Sequence, residues 1–218
     1  MITGADVSVV IPSLPDRSSL LARAIRSVER QTVQPAKIIT QIDRKRLGAA
    51  VARNAALKKV TTPWVAFLDD DDEFHYDHLA TLIEGANVSG ADLVGTYPEP
   101  NIPGVVEGLV SCLRGIPVRG PVHIPWGSDQ LDHFDARRGP VCPHCSTQRG
   151  SFIMVTNLVR MSLIVEVGGF PAPGSMGDDF AGYGAEDYLF LLALLDAGAH
   201  FHHVTGRRTW TYRVDGKG

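Results

Sequence analysis

The chain has no long apolar run, few cysteines and little net charge, and each absence argues against a class of protein. No apolar stretch in its 218 residues reaches the roughly 18 residues needed to span a bilayer, and no secretory signal is visible at the amino terminus. A net charge of −3 gives no overall attraction to nucleic acid or to an anionic membrane. Three cysteines, an odd number, do not form a disulfide framework. The sequence therefore predicts a cytoplasmic protein.

Strand-like and helix-like patterns alternate through the first half of the chain. Strands are predicted over residues 7–11, 37–42, 64–68 and 92–95, with helices after Asp16 and over 48–59 and 76–86. Such alternation is typical of an α/β protein, in which helices cover both faces of a mostly parallel, open sheet. Later in the chain we expect a helix bearing Leu158, Met161 and Val165, an apolar helix over 188–197, and two final strands over 200–204 and 209–214.

Five apolar residues, 64–68, lead directly into four consecutive aspartates, 69–72. Ligands of open α/β sheets bind beyond the carboxyl ends of the strands, which is where these carboxylates would lie. Four close carboxylates repel one another, and a divalent metal ion would neutralise them. The alternative is a solvated acidic turn that caps the next helix, and the stretch alone leaves both interpretations open.

Other polar residues are predicted at the same edge of the sheet. Ser13 and Arg17 follow the first strand, Asp43 follows the second, and Arg53 approaches from its helix. A basic residue beside metal-binding carboxylates suits a diphosphate, and Asp43 could accept a hydrogen bond from a base or a ribose. Taken singly, Asp43 also fits a turn residue and Arg53 a surface charge.

Glu186 and Asp187 begin an otherwise apolar helix. Two acids in a first helical turn can simply interact with the helix dipole. They can also supply a general base that faces a pocket, since Gly182 and Gly184 just before them would let the backbone approach a ligand closely.

These motifs, in this order, resemble the inverting glycosyltransferases of the GT-A fold, and family 2 above all. The resemblance covers about residues 7–92 and 152–214, and it rests on the following segments: Ile11-Pro12-Ser13, Asp16-Arg17, Ser27-Val28 with Gln31-Thr32, Asp43, Ala52-Arg53-Asn54, 67–72, Val167-Gly168-Gly169-Phe170 and Gly184-Ala185-Glu186-Asp187. It implies a GT-A-type fold and transfer of a sugar from a nucleotide-diphosphate sugar to an acceptor hydroxyl.

The resemblance also implies roles for individual residues. Asp187 would be the catalytic base, with Glu186 beside it to position the acceptor. The implied nucleotide-sugar site comprises Ser13, Arg17, Asp43, Arg53, Asp69 and Asp70, with Asp69 on the donor ribose and Asp43 on the nucleobase. The implied ligands of Mn²⁺ or Mg²⁺ are Asp71 and Asp69, with His203 and Asp215 as further candidates.

Two departures from the family pattern concern the donor contacts. Arg44-Lys45-Arg46 follows the second strand, where many relatives have a second Asp and a Gly-Ser turn. Asp215 follows the Tyr-Arg-Val element near the carboxyl terminus, where relatives usually have a histidine. His203 is the substitute candidate for that histidine.

A proline-rich segment over residues 97–150 interrupts the pattern, since eight of the fourteen prolines lie between Pro98 and Pro143. We expect an insertion there that contacts the acceptor or zinc. Within it, Cys142 and Cys145 form half of a Zn²⁺ site, which Cys112, His123 or His133 could complete; otherwise they are ordinary thiols. One domain is predicted, with a nucleotide-sugar half over 1–96, this insertion, and an acceptor and catalytic half over 151–218.

The sequence thus predicts a metal-dependent inverting glycosyltransferase with a nucleotide-diphosphate sugar donor, preferably a uridine one. The acceptor could be a saccharide, a lipid carrier, a protein or a modified nucleobase. A nucleotidyltransferase is the first alternative, although the glycine-rich basic loop that such enzymes carry after the first strand is missing from the segment 12–17. A non-catalytic module that binds a sugar nucleotide or zinc is the second.

Overall fold

A computed structural model of the chain describes residues 1–100, 156–171 and 186–213. The strands of the described residues are β1 Val7–Ser13, β2 Lys37–Ile42, β3 Trp64–Phe67, β4 Glu73–Phe74, β5 Leu93–Pro100, β6 Leu158–Arg160 and β7 Phe201–Tyr212. The α-helices are α1 Ser18–Glu29, α2 Ala49–Leu57, α3 His78–Ser89, α4 Met161–Glu166 and α5 Glu186–Asp196. None of these helices is long and apolar enough to cross a membrane.

The seven strands form one open, mixed sheet in the order β2-β1-β3-β6-β5-β7-β4. Strand β1 pairs in parallel with β2 and β3, and the long strands β5 and β7 are also parallel. The short strand β6 joins the two parallel parts by pairing antiparallel with β3 and β5, and β4 lies antiparallel on β7. The predicted α/β class, with a mostly parallel open sheet flanked by helices, is confirmed.

Strands β1 and β3 are buried along their whole length, because both of their faces are covered. Val10 and Phe67 pack into the core on the side of α2, α4 and α5. Val9 and Trp64 point to the opposite side and pack into the core beneath α1 and α3. This is the alternation expected of successive strand residues. It places the ends of both strands at one edge of a rigid, fully buried layer.

Two predictions about the second half of the chain are wrong. Leu158 lies in strand β6, and the helix begins only at Met161. A segment of three residues is too short to show the periodicity that tells strand from helix. The two predicted final strands are one strand, β7. Its pairing with β5 is irregular near Tyr97, where the partner residues on β7 jump from His203 to Arg208. The irregularity falls at residues 205–208, the segment that separates the two predicted strands.

A buried chain of hydrogen bonds joins α3 to β5, β7 and the segment before β6. His78 is fully buried, with Nε2 3.0 Å from the carbonyl oxygen of Thr156 and Nδ1 2.6 Å from the hydroxyl of Thr209. Because a carbonyl only accepts, Nε2 donates and Nδ1 accepts from Thr209, whose oxygen then accepts from Thr96 at 2.7 Å. Burial lowers the pKa of His78 to about 3, so the ring is neutral in this chain of hydrogen bonds.

We expect the neutral His78 to make the protein less stable as the pH falls below about 6.5, the ordinary histidine pKa. Below that pH the unfolded chain binds a proton that the folded chain does not. The free energy of unfolding therefore falls by about 1.4 kcal/mol between pH 7.5 and pH 5.5. Urea denaturation of the wild type and of His78→Gln at the two pH values measures this contribution. Between pH 7.5 and pH 5.5 the free energy of unfolding should fall by about 1.4 kcal/mol more in the wild type than in the variant. The exposed His200, changed to Gln, is the control. Equal pH dependence of wild type and His78→Gln would contradict the prediction.

Candidate functional site

The side chains predicted to form a site come from elements that meet at the carboxyl edge of the sheet. The backbone N–H of Leu68 donates to the carbonyl of Val10 at 3.0 Å, which continues the pairing of β1 and β3 up to Asp69. The loop after β1 therefore lies beside the four aspartates. Arg53, from α2, and the first turn of α5 face the same loop.

Asp70 is held by the loop that follows β1. The hydroxyl of Ser13 donates to one carboxylate oxygen at 2.5 Å, and Arg17 pairs with the other at 2.7 Å. Arg17 also lies 3.5 Å from Asp71. Partial burial alone would lower the pKa of Arg17, but the carboxylates of Asp70 and Asp71 outweigh it and raise that pKa. The predicted site residues Ser13, Arg17 and Asp70 are thus brought together as one hydrogen-bonded group.

Two further arginines face the end of the acidic segment. The backbone N–H of Arg213 donates to Asp72 at 2.9 Å, while its guanidinium pairs with Glu73 at 2.9 Å. Arg23 pairs with Glu73 at 3.0 Å and donates to the backbone carbonyl of Asp71 at 3.3 Å. The expectation that a metal ion must neutralise the aspartates is therefore incomplete, because arginine side chains supply much of the opposing charge.

Three of the aspartates nevertheless offer a candidate metal site. Asp69, Asp71 and Asp72 each present one carboxylate oxygen, and these three atoms lie within 4.8 Å of one another. Carboxylate oxygens are the hard ligands that Mg²⁺ and Mn²⁺ prefer, so the donor set fits either ion. Asp72 has no assigned role in the sequence-based prediction, because four adjacent aspartates give no sign of which side chains converge.

Arg53 is the most buried arginine of the site, with 2% of its side chain exposed. One terminal nitrogen lies 2.8 Å from Asp69, and the other lies 2.6 Å from Asp187 and 3.3 Å from Glu186. Burial alone would lower the pKa of Arg53, but the carboxylates of Asp187 and Asp69 outweigh it and raise that pKa. The interpretation of Arg53 as a surface charge is wrong. A contact with the donor stays a prediction.

The residue after Arg53 explains why two distant motifs occur together. The side-chain amide of Asn54 donates to the carbonyl of Phe170 at 2.8 Å and accepts from its backbone N–H at 2.9 Å. At Gly169, where φ is +83°, a Cβ atom would lie 2.5 Å from the Asn54 oxygen. Arg53 itself lies over the ring of Phe170, 5.2 Å from its centroid. The segments 52–54 and 167–170 therefore form one local unit.

Asp43, at the end of β2, orders the loop that follows it. Its carboxylate accepts from the backbone N–H of Gly48 at 2.8 Å. Burial would raise the pKa of Asp43, but backbone N–H groups of residues 45–48 outweigh it and lower that pKa. Asp43 thus has the turn role that the sequence allowed. Its contact with a nucleobase stays a prediction.

Several predicted residues lie outside the part of the chain that the structure describes. They are Asp215, Gly182 and Gly184, and the candidate zinc ligands Cys112, His123, His133, Cys142 and Cys145. His203 lies on β7, paired in register with Gly95. The predicted insertion, apart from its first residues in β5, is also outside the described ranges.

Sequence comparison finds glycosyltransferases. Residues 37–108 match the model of glycosyl transferase family 2. The pre-mycofactocin glycosyltransferase of Mycobacterium tuberculosis (strain H37Rv) is 28% identical over 177 residues, covering 76% of this chain and 32% of that protein. The chain therefore spans about a third of the length of that relative.

Structure comparison finds the same type of fold. Residues 1–349 of Staphylococcus aureus TarS superpose with a TM-score of 0.62 at 15% identity, over 95% of this chain and 60% of that one. The same segment in complex with UDP-GlcNAc gives 0.59 at 14% identity, over 95% and 58%. The mannosyltransferase PcManGT from Pyrobaculum calidifontis, in complex with GDP-Man and Mn²⁺, gives 0.61 at 14% identity, over 98% and 58%. The GT-A type of the fold is thereby confirmed.

We expect Arg53→Gln to reduce the free energy of unfolding by about 2–4 kcal/mol, because three carboxylates would lose their shared counter-charge in a largely buried place. Arg46→Gln is the control, since Arg46 pairs with Asp16 at the surface, where both side chains are more than half exposed. The loss of stability in this control should be much smaller, because surface ion pairs contribute little. Urea denaturation of both variants measures the difference. Equal losses in the free energy of unfolding would show that the ion pairs of Arg53 stabilise the fold no more than a surface pair does.

Proposed function

We propose that this chain, whose residues 37–108 match glycosyl transferase family 2 and whose fold is of the GT-A type, moves a sugar from a nucleotide-diphosphate sugar to an acceptor hydroxyl, with inversion at the anomeric carbon. The observation that carries the proposal is the bridge made by Arg53. A single buried guanidinium joins the candidate metal ligand Asp69 to the candidate base Asp187, so a donor and an acceptor bound between them would meet at one place.

The donor would bind at the acidic loop. Asp69, Asp71 and Asp72 are the residues that would hold Mn²⁺ or Mg²⁺. When bound, such an ion offsets the negative charge that develops on the departing diphosphate. The complex of PcManGT with GDP-Man and Mn²⁺ supports this assignment. The complex of TarS with UDP-GlcNAc supports a uridine donor.

The acceptor would be activated at the first turn of α5. The acceptor oxygen attacks the anomeric carbon from the face opposite the diphosphate, the bond to the diphosphate breaks, and Asp187 takes the hydroxyl proton. Arg53 fixes the carboxylate at 2.6 Å, which limits its freedom before the acceptor arrives. Glu186, at 3.3 Å from the same nitrogen, would position the acceptor.

The proposal is tested by a screen of sugar nucleotides for slow hydrolysis, with and without Mn²⁺, because this assay needs no acceptor. Metal-dependent release of a nucleoside diphosphate from one donor would support the glycosyltransferase assignment. Release of pyrophosphate from a nucleoside triphosphate would favour a nucleotidyltransferase, and binding without turnover would favour a non-catalytic module.

Three other expectations stay predictions: the cytoplasmic location, the zinc site at Cys142 and Cys145, and the division at residues 96 and 150.

Asp71→Asn should abolish the Mn²⁺-dependent part of sugar-nucleotide binding, because an amide is a much weaker ligand than a carboxylate for a hard cation. Isothermal titration calorimetry with and without Mn²⁺ measures it. Asp92→Asn is the control, since it removes the same charge from a residue paired with Arg160, away from the acidic loop. Unchanged donor affinity in Asp71→Asn would remove this residue from the site.

Asp187→Asn should lower turnover by roughly 10²–10⁴-fold with donor affinity nearly unchanged, since an amide cannot accept the acceptor's proton. Glu186→Gln should cost less. Transfer rate and donor affinity are measured side by side on both variants, using the acceptor substrate. A melting temperature is recorded for each, because Asp187 also pairs with Arg53. Near wild-type turnover in a folded Asp187→Asn protein would place the base elsewhere.

A further inference from the structure

A basic groove lies beside the acidic loop, between α1 and the segment that runs from β4 to Tyr76. It encloses about 520 Å³, and its lining includes Arg23, Arg26 and Arg30 from one helix together with Glu73 and Tyr76. The three arginines lie three and four positions apart, which places them on one face of α1. None of the roles assigned to the acidic loop or to α5 uses Arg26, Arg30 or Tyr76.

The charge of this groove is only partly balanced. Glu73 already pairs with Arg23 at 3.0 Å and with Arg213 at 2.9 Å. Arg26 and Arg30 are exposed, and no carboxylate of the described residues lies within ion-pair distance of either one. Among the described residues the groove therefore presents two guanidinium groups without a carboxylate partner, and the planar forks of such groups bind phosphate, sulfate or carboxylate in bidentate fashion.

An aromatic ring stands beside these charges. The side chain of Tyr76 is exposed, at 67% of its full area. Its backbone is fixed, because its carbonyl accepts from the N–H of Thr32 at 2.7 Å, just after the end of α1. An exposed tyrosine on a fixed backbone offers a flat face to the apolar side of a sugar ring and a hydroxyl to its polar edge.

The groove is continuous with the candidate metal site. Arg23 lines the groove, and its guanidinium donates to the carbonyl of Asp71 at 3.3 Å. Glu73, on the same wall, directly follows Asp72 in the chain. A ligand lying along α1 would therefore have one end next to the acidic loop.

We propose that this groove binds an anionic saccharide and, resting on the proposed function, that the acceptor substrate is a saccharide carrying phosphate or similar acidic groups. The guanidinium groups of Arg26 and Arg30 account for the charge of the ligand, and Tyr76 accounts for its sugar rings. The concave shape fits a chain that enters the groove, whereas a membrane would meet a flat surface.

The test uses a short dextran sulfate as the probe, with neutral dextran of equal length and inorganic polyphosphate beside it. Binding is measured by fluorescence anisotropy for the wild type, for Arg26→Gln/Arg30→Gln and for Tyr76→Ala. The matched control is Lys37→Gln/Lys58→Gln, which removes two exposed positive charges outside the groove. Melting temperatures confirm folding, and sugar-nucleotide hydrolysis is recorded for every protein.

We expect the wild type to prefer dextran sulfate to neutral dextran, and the double arginine variant to bind it at least tenfold more weakly than the lysine control does. Tyr76→Ala should weaken the binding of dextran sulfate but not of polyphosphate. Equal effects of the arginine and lysine variants would overturn the site. Phosphatidylglycerol vesicles serve as the membrane probe. Equal effects of Tyr76→Ala on both anions, or binding to the vesicles in place of the saccharide, would overturn the ligand class.

The hydrolysis assay separates this proposal from the proposed function. The groove variants should hydrolyse the donor at the wild-type rate, since they leave the acidic loop and α5 unchanged. If no protein hydrolyses any donor while dextran sulfate still binds in the groove, the glycosyltransferase function fails and the acceptor assignment fails with it, but the saccharide site stands. If hydrolysis is normal and the groove does not bind the probe, only the groove proposal fails.

Discussion

The burial of one guanidinium among three carboxylates is the constraint on which the site depends. Arg53 has 2% of its side chain exposed, and a charge so far from water is tolerated only when opposite charges and hydrogen bonds surround it. Asp69, Glu186 and Asp187 meet that requirement. Asp69 lies just after β3 and Asp187 lies in the first turn of α5. Because both pair with Arg53, the distance between the proposed metal site and the proposed base is fixed.

The four consecutive aspartates have different surroundings despite their identical chemistry. The carboxylate of Asp70 is bound by Ser13 and Arg17. It is the one of the four aspartates that does not belong to the candidate metal site. The other three converge within 4.8 Å, while Arg53, Arg17 and the Arg213 backbone each contact one of them. A metal ion would bind among carboxylates that are already positioned, and part of the cost of ordering them is met by the fold.

Local patterns predicted most of the first half of the fold well, because most elements there are long enough to show their period. The helices expected over 48–59 and 76–86 correspond to α2 Ala49–Leu57 and α3 His78–Ser89. Strand β6 was missed because its three residues become a strand only through their partners β3 and β5. Strand β4 has two residues, too few for any pattern to form.

Several residues of the candidate site were singled out from the sequence, but their contacts were not. Arg53 and Asp187 are 134 positions apart, and each one alone fits an ordinary surface charge or helix start. The order of motifs suggested that they belong together, and the structure gives the physical reason: Asn54 holds Phe170 through both backbone groups while its neighbour Arg53 holds Asp69 and Asp187. The segment 52–54 is therefore the support that joins the acidic loop to α5. A substitution at Asn54 would be expected to disturb the candidate site without touching any group proposed to meet the substrate.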